Sequence, residues 1–319
     1  MGPATLMIAL TLVKPPAHDG ATFFSNIANP IGSVFQDPGH HIRKQLPTDG
    51  VDINSTSVGP DSLCAFKALN EKSNEYDKLD FYHRTQELFS YVCDSHEIEL
   101  VGWFGHRFVF RTSRGTYLAD PFAKKVRLTP ELVGLEGVVT VGQWIFTLRE
   151  GSRGKDLVEG TARSSPGNKK LAFSVAGGGD LQGLGHKVIV VEDDRPFRLW
   201  SADPDTGRAK EIRMPGHFLG FCDWGRDQIV VARGLSSNPW ADPVKSTELV
   251  KFDLNSGSTR VLARLHGQTT LAGGSRSNSS VWLIRLVNPV GPCPLFEWKI
   301  GSKHSRLLEP AVYDVGSSN

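Results

Sequence analysis

Apolar and polar positions alternate along this chain in short runs, each broken by Gly, Asp, Asn or Ser. IELVGWFGHRFVFRTSRGTYLADP (98–121) reads as three strands, IELVGWF, HRFVFRT and GTYLAD, with hairpin chemistry at Gly105-His106 and Ser113-Arg114-Gly115. VTVGQWIFTLRE (139–150) predicts a hairpin that turns at Gly142-Gln143. Three more strands are expected over 187–215, separated by Glu192-Asp193-Asp194 and Asp205-Thr206-Gly207. QIVVARG (228–234), STELVKFDLNSGSTRVLARL (246–265) and the segments of 281–310 continue the pattern. The stretch 70–95 is charged and could form a helix, but LDFYHRTQELFSYV also fits two strands around Arg84-Thr85-Gln86-Glu87, and strands are the expectation.

A second regularity lies above the strands. NIANPIGS with IRKQLP (26–47), LADPFAKKVRLTP (118–130) and WSADPDTGRAKEIRMP (200–215) share an outline of apolar residues, Asn-Pro or Asp-Pro, a basic stretch and a closing Pro. Asn29, Asp120 and Asp203 are 91 and 83 residues apart, and Asp253 follows 50 later. If the longer intervals each span two units, the period matches one four-stranded propeller blade. The expectation is an all-β chain: a single β-propeller over 1–319, with six or seven four-stranded blades, the lower number if the first blade is truncated. Asp120-Pro121 then ends a strand because proline cannot donate to a ladder, and the Asp side chain caps the turn.

SVGPDSLCAFKAL (57–69), KLDFYHRTQELFSYV (78–92), ELVGWFGHRFVFRTSRGTYLAD (99–120), VIVVEDDRPFRLWSADPDTGRAKEIRMPGHFLGF (188–221) and ELVKFDLNSGSTRVL (248–262) occur in a fixed order. In that order they resemble the plant F-box-associated β-propeller family of KIB type, over roughly 20–265. The hairpin element is Gly105-His106-Arg107-Phe108, the Leu-x-Phe strand is Leu79-Asp80-Phe81, and the later elements are Phe218-Leu219-Gly220 and Phe252-Asp253-Leu254 through Gly257. The resemblance implies a substrate-recognition propeller of cullin-type ubiquitin ligases. Residues 1–25 have neither the length nor the Leu-rich helical pattern of an F-box, so direct recruitment of the Skp-type adaptor is not expected.

Composition narrows the remaining classes. Hydrophobic content of 39% and charge of 22% suit a chain that buries a real core. A net charge of +2, with Lys and Arg scattered rather than striped, gives no nucleic-acid surface. Cys64, Cys93, Cys222 and Cys293 form no CxxC pair, so buried thiols in a reducing compartment are expected rather than zinc or disulfides. TLMIALTLV (5–13) is too short to span a membrane and has no basic start, so it reads as a strand, and the expected compartment is cytosol or nucleus.

No nucleophile elbow surrounds Ser174 or Ser201, and the pair His40-His41 has no third ligand at metal spacing. AGGGDLQGLGHK (176–187) lacks the Gly-Lys-Ser/Thr and the following helix of a phosphate loop, and is expected to be an inter-strand loop. Glu192-Asp193-Asp194 fits a solvated hairpin tip, and Lys124-Lys125 and Lys169-Lys170 fit exposed turns or edges. Neither a catalytic site nor a cofactor is expected. The candidate partner contacts are Trp224, beside a turn in FCDWGRD, and Trp240, in the Pro-flanked loop SSNPWADP. The rival expectation is a glycosidase- or lyase-type propeller with carboxylates on its innermost strands. It is disfavoured on the premise that VIVV (188–191) and QIVVA (228–232) are those innermost strands.

Overall fold

The computed structural model describes residues 22–28, 31–37, 42–47, 51–151, 155–162, 170–176, 179–184, 187–192, 198–225, 227–235, 244–287 and 291–318. These residues form strands with two short 3-10 turns, at Pro60–Ser62 and Pro130–Leu132. The strands begin with β1 (Thr22–Ala28), β2 (Ile31–Asp37) and β3 (Ile42–Gln45). A four-stranded meander follows: β4 (Val51–Val58), β5 (Leu63–Asn70), β6 (Glu75–His83) and β7 (Gln86–Val92). The next comprises β8 (Glu99–Phe104), β9 (Arg107–Thr112), β10 (Gly115–Asp120) and β11 (Lys125–Leu128). Then come β12 (Leu135–Val141), β13 (Trp144–Glu150), β14 (Lys155–Ala162) and β15 (Lys170–Ala176). After these lie β16 (Gly179–Leu184), β17 (Lys187–Glu192), β18 (Arg198–Asp203) and β19 (Arg208–Arg213). They are followed by β20 (His217–Gly225), β21 (Gln228–Gly234), β22 (Ser246–Asp253) and β23 (Thr259–His266). The chain ends with β24 (Thr269–Ser275), β25 (Ser280–Arg285), β26 (Cys293–Lys299) and the 14-residue β27 (Ser305–Ser318).

Within every unit, consecutive strands pair antiparallel. The units β8–β11 and β12–β15 merge into one sheet through a single parallel bridge, Val138 with Gly102. β27 pairs with strands from both ends of the chain: Ser305–Val312 with β26, and Val312–Ser318 with β1. The C-terminal strand thereby places β1–β3 in the sheet of β24–β27.

First strands of neighbouring units touch one another: β27 with β4, β4 with β8, β8 with β12, β12 with β16, and β20 with β24. Core clusters lie between consecutive sheets. Ile189 and Val191 meet Phe221 and Ile229, Phe81 meets Phe108, and Val34 meets Trp282 and Leu295 across the junction of the last and first units. Radial sheets with faces packed against each other and first strands at the centre make a propeller-like, all-β architecture. Each large apolar side chain buried between sheets contributes about 1.5–3 kcal/mol.

The centre is crowded, and two glycines make the crowding possible. Gly102 has φ +142° and Gly220 has φ +103°, and a Cβ at either would collide with a carbonyl oxygen of the adjacent first strand, Val138 or Leu271.

The three-strand reading of 98–121, the hairpin at Gly142-Gln143 and the strands of 70–95 all hold. Other expectations change. VIVV and QIVVA lie in β17 and β21, the second strands of their units, not the innermost. They are apolar without alternation because both faces of a second strand meet neighbouring sheets, and all six residues of β17 are buried. The Gly-rich stretch is not simply a loop, since Gly179–Leu184 is the first strand β16.

Asp120 and Asp203 end the third strands β10 and β18, and the matching residue of the first unit is Asp37, which ends β2 and lies 83 residues before Asp120. Asn29-Pro30 instead falls between β1 and β2 and outside the described residues. Third strands end at Asp37, His83, Asp120, Ala162, Asp203, Asp253 and Lys299, at intervals of 37 to 50 residues. The run 5–13, His40-His41 and Lys169 also lie outside the described residues. All four cysteines are buried thiols, and among the described residues no helix is long and apolar enough to cross a membrane.

Candidate interaction surface

Trp224 is 7% exposed and packs in a core cluster with Cys222, Val230, Leu249, Leu271 and Trp298. It is therefore a core residue and not an accessible partner contact. β20 ends at Gly225, which pairs with Gln228 of β21, so Trp224 does lie beside the hairpin turn, but its ring packs inward. Trp240 lies outside the described residues. Glu192 is likewise no solvated tip: it is 1% exposed, accepts a hydrogen bond from Trp200 Nε1 at 2.8 Å, and lies 3.5 Å from Arg198 Nε. Ser201 is buried in β18, whereas Ser174 is exposed on β15. Lys124 and Lys125 are exposed at a turn and an outer strand, as expected.

Among the described residues, the most exposed aromatic is Phe122, which sequence reasoning passed over; it lies two residues beyond the end of β10 and is 54% exposed. Its turn is held from inside. Asp120 Oδ1 accepts the Ala123 N–H at 2.9 Å, and Oδ2 accepts Arg107 Nε at 3.2 Å, with His106 Nε2 at 3.7 Å. Burial pushes the Asp120 carboxyl up, but the Ala123 amide, Arg107 and His106 outweigh it and hold the group below the ordinary aspartate range. Lys124 completes the turn with φ 52°. The His106 and Phe122 rings meet edge to face, their centroids 6.0 Å apart. The sequence carried a signal: an aromatic residue in the turn straight after Asp-Pro, flanked by Ala123-Lys124.

Beyond Phe122, β11 is the outermost strand of its sheet, and nothing pairs with its other edge among the described residues. Lys125, Arg127 and Leu128 on it are exposed, Leu128 at 54%. Among the described residues, Lys124, Lys125 and Arg127 have no carboxylate partner. In other units some basic residues of outer strands are engaged, Arg43 of β3 with Glu309, Arg213 of β19 with Glu211 and Arg264 of β23 with Glu248, whereas no basic residue of β11 is paired with a carboxylate among the described residues.

Three further polar clusters are buried and serve packing. Glu248, 2% exposed, accepts from Arg233 Nη2 at 2.8 Å and from Arg264 Nε at 2.7 Å on the two flanking strands. Lys187 Nζ reaches Asn255 Oδ1 at 2.7 Å and Asp227 Oδ1 at 3.0 Å, tying β17 to the next unit. Glu309 of β27 accepts from Gln36 Nε2 and Arg43 Nε, each at 2.6 Å, across the junction with the first unit. On first strands, Glu136 is raised by burial and then by the nearby Asp156 and Glu150. No group of three or more His, Cys, Asp or Glu among the described residues could hold a metal ion.

Fold and rim define an all-β, propeller-like protein. No protein-family model matches the chain, and no curated protein matches it by sequence. Solved structures match by fold. A protein from Lactobacillus plantarum is 9% identical with a TM-score of 0.56, covering 94% of this chain and all of that one. Hsv2 of Kluyveromyces lactis is 10% identical with a TM-score of 0.51, covering 80% and 76%. The acylaminoacyl peptidase of Pyrococcus horikoshii is 11% identical with a TM-score of 0.53; 82% of this chain matches 46% of that one. At these identities the likeness is one of fold.

Proposed function

We propose that this chain is a non-catalytic protein-interaction platform, a propeller whose rigid sheets hold variable turns at its rim. In this reading it is a single propeller domain of six or seven four-stranded blades, the first completed by the C-terminal half of β27. The observation that carries the platform reading is Phe122, more than half exposed on a turn that Asp120 fixes from within. The resemblance of the ordered motifs to the KIB-type family extends it to target recognition, in cytosol or nucleus, with an unknown protein target and with no nucleic acid, membrane or cofactor.

The test is affinity purification of the tagged chain from plant tissue alongside its Phe122→Ala variant, followed by mass spectrometry. A protein recovered by the parent and lost by the variant supports the reading. Equal recovery by both contradicts the role of Phe122. The rival reading is a glycosidase- or lyase-type propeller with carboxylates converging on an axial site. Glycosidase or lyase activity of the purified chain on small-molecule substrates would favour that rival over the platform.

A further inference from the structure

We infer that the open edge of β11, with Phe122 at one end and Leu128 at the other, receives an extended acidic segment of a partner protein. This rests on the platform reading and names the partner's chemistry. Three observations combine. The outer edge of β11 is unpaired among the described residues, so its backbone groups face outward. Phe122 and Leu128 are each 54% exposed and bracket the strand. Lys124, Lys125 and Arg127 carry charge without a carboxylate among the described residues, because Asp120 beside them is taken up by Ala123, Arg107 and His106.

Basic residues on a sheet edge repel an identical edge, so a second copy of this chain is a poor occupant of β11. The same charges attract a strand with Asp or Glu at alternate positions, and β-strand addition supplies the backbone hydrogen bonds. An apolar residue at each end of that segment would meet Phe122 and Leu128. Phe122 is pre-organised by its capped turn, so little side-chain freedom is lost on binding. An acidic flexible peptide is favoured over a phospholipid surface because the cations lie in a line along a strand rather than on a broad face.

The experiment is selection of a random peptide library displayed on phage against the full chain, with affinities of synthetic peptides measured by calorimetry. The expected pool is rich in Asp or Glu alternating with apolar residues. Binding should fall roughly tenfold or more in Phe122→Ala and in the double variant Lys125→Glu/Arg127→Glu. It should weaken with salt and be lost by an N-methylated copy of the best peptide, which cannot donate along a strand. Circular dichroism and denaturation curves matching the parent show that both variants fold.

Selected peptides with no acidic bias, or peptides that bind the variants as tightly as the parent, overturn the β11 site and leave the platform standing. A library that yields no binder overturns both. Phosphatidylserine vesicles bound by the parent and not by the charge-reversal variant, with no acidic peptide selected, would reassign the surface to lipid.

Discussion

Glu248, in the middle of β22, and Asp120, at the end of β10, each meet two basic side chains, but in opposite settings. Glu248 is 3% exposed at its side chain and bridges Arg233 and Arg264 across three strands. Asp120 lies 20% exposed at a rim, where its oxygens fix the turn that lifts Phe122 into solvent. The first carboxylate is consumed in holding a sheet together. The second leaves Phe122 and three cations beside it available to a partner. Burial, rather than the presence of a charge pair, separates a structural cluster from a surface that can bind.

The largest expected effect falls on the residue that was mistaken for a contact. Trp224→Ala should cost about 3–5 kcal/mol of unfolding free energy by urea denaturation, because it empties a core cluster. A loss under about 1 kcal/mol would return Trp224 to the surface. Glu248→Ala comes next, at about 3 kcal/mol, since it leaves the largely buried Arg233 unpaired.

Acid unfolding follows the same division. Burial pushes Glu248 up, yet Arg233 and Arg264 outweigh it, so its folded pKa lies below its ordinary value, as does that of Asp120. Their contribution to stability is complete above the unfolded values near 4 and is lost as pH falls through the lowered folded ones. Glu248→Gln should flatten that acid limb more than Asp120→Asn. Arg264→Ala, whose side chain is 73% exposed, should cost less than about 1 kcal/mol. Smallest of all, Phe122→Ala should leave the unfolding free energy within about 0.5 kcal/mol of the parent.

Much of the fold was legible because strand alternation and turn residues act locally. GTYLAD, Gly142-Gln143 and the Asp-Pro turns reveal themselves without knowledge of the rest of the chain. Position within a sheet was not legible in the same way. VIVV and QIVVA read as innermost, yet a second strand is apolar on both faces because a sheet covers each, and that depends on neighbours many residues away. Trp224 shows the same limit: FCDWGRD correctly places it beside a turn, but only packing against Leu271 and Trp298 of the next unit buries the ring. Phe122 was hidden by the opposite error, since Asp-Pro marked its segment as a mere turn and drew attention from the aromatic ring within it.

Hydroxyl-radical footprinting, read at Phe122 and Trp224 with and without a selected acidic peptide, tests the contrast between surface and core most directly. The account predicts rapid oxidation of Phe122 in the free protein, its protection by the peptide, and slow oxidation of Trp224 in both states. Rapid oxidation of Trp224 that the peptide suppresses, with Phe122 unchanged, would contradict it.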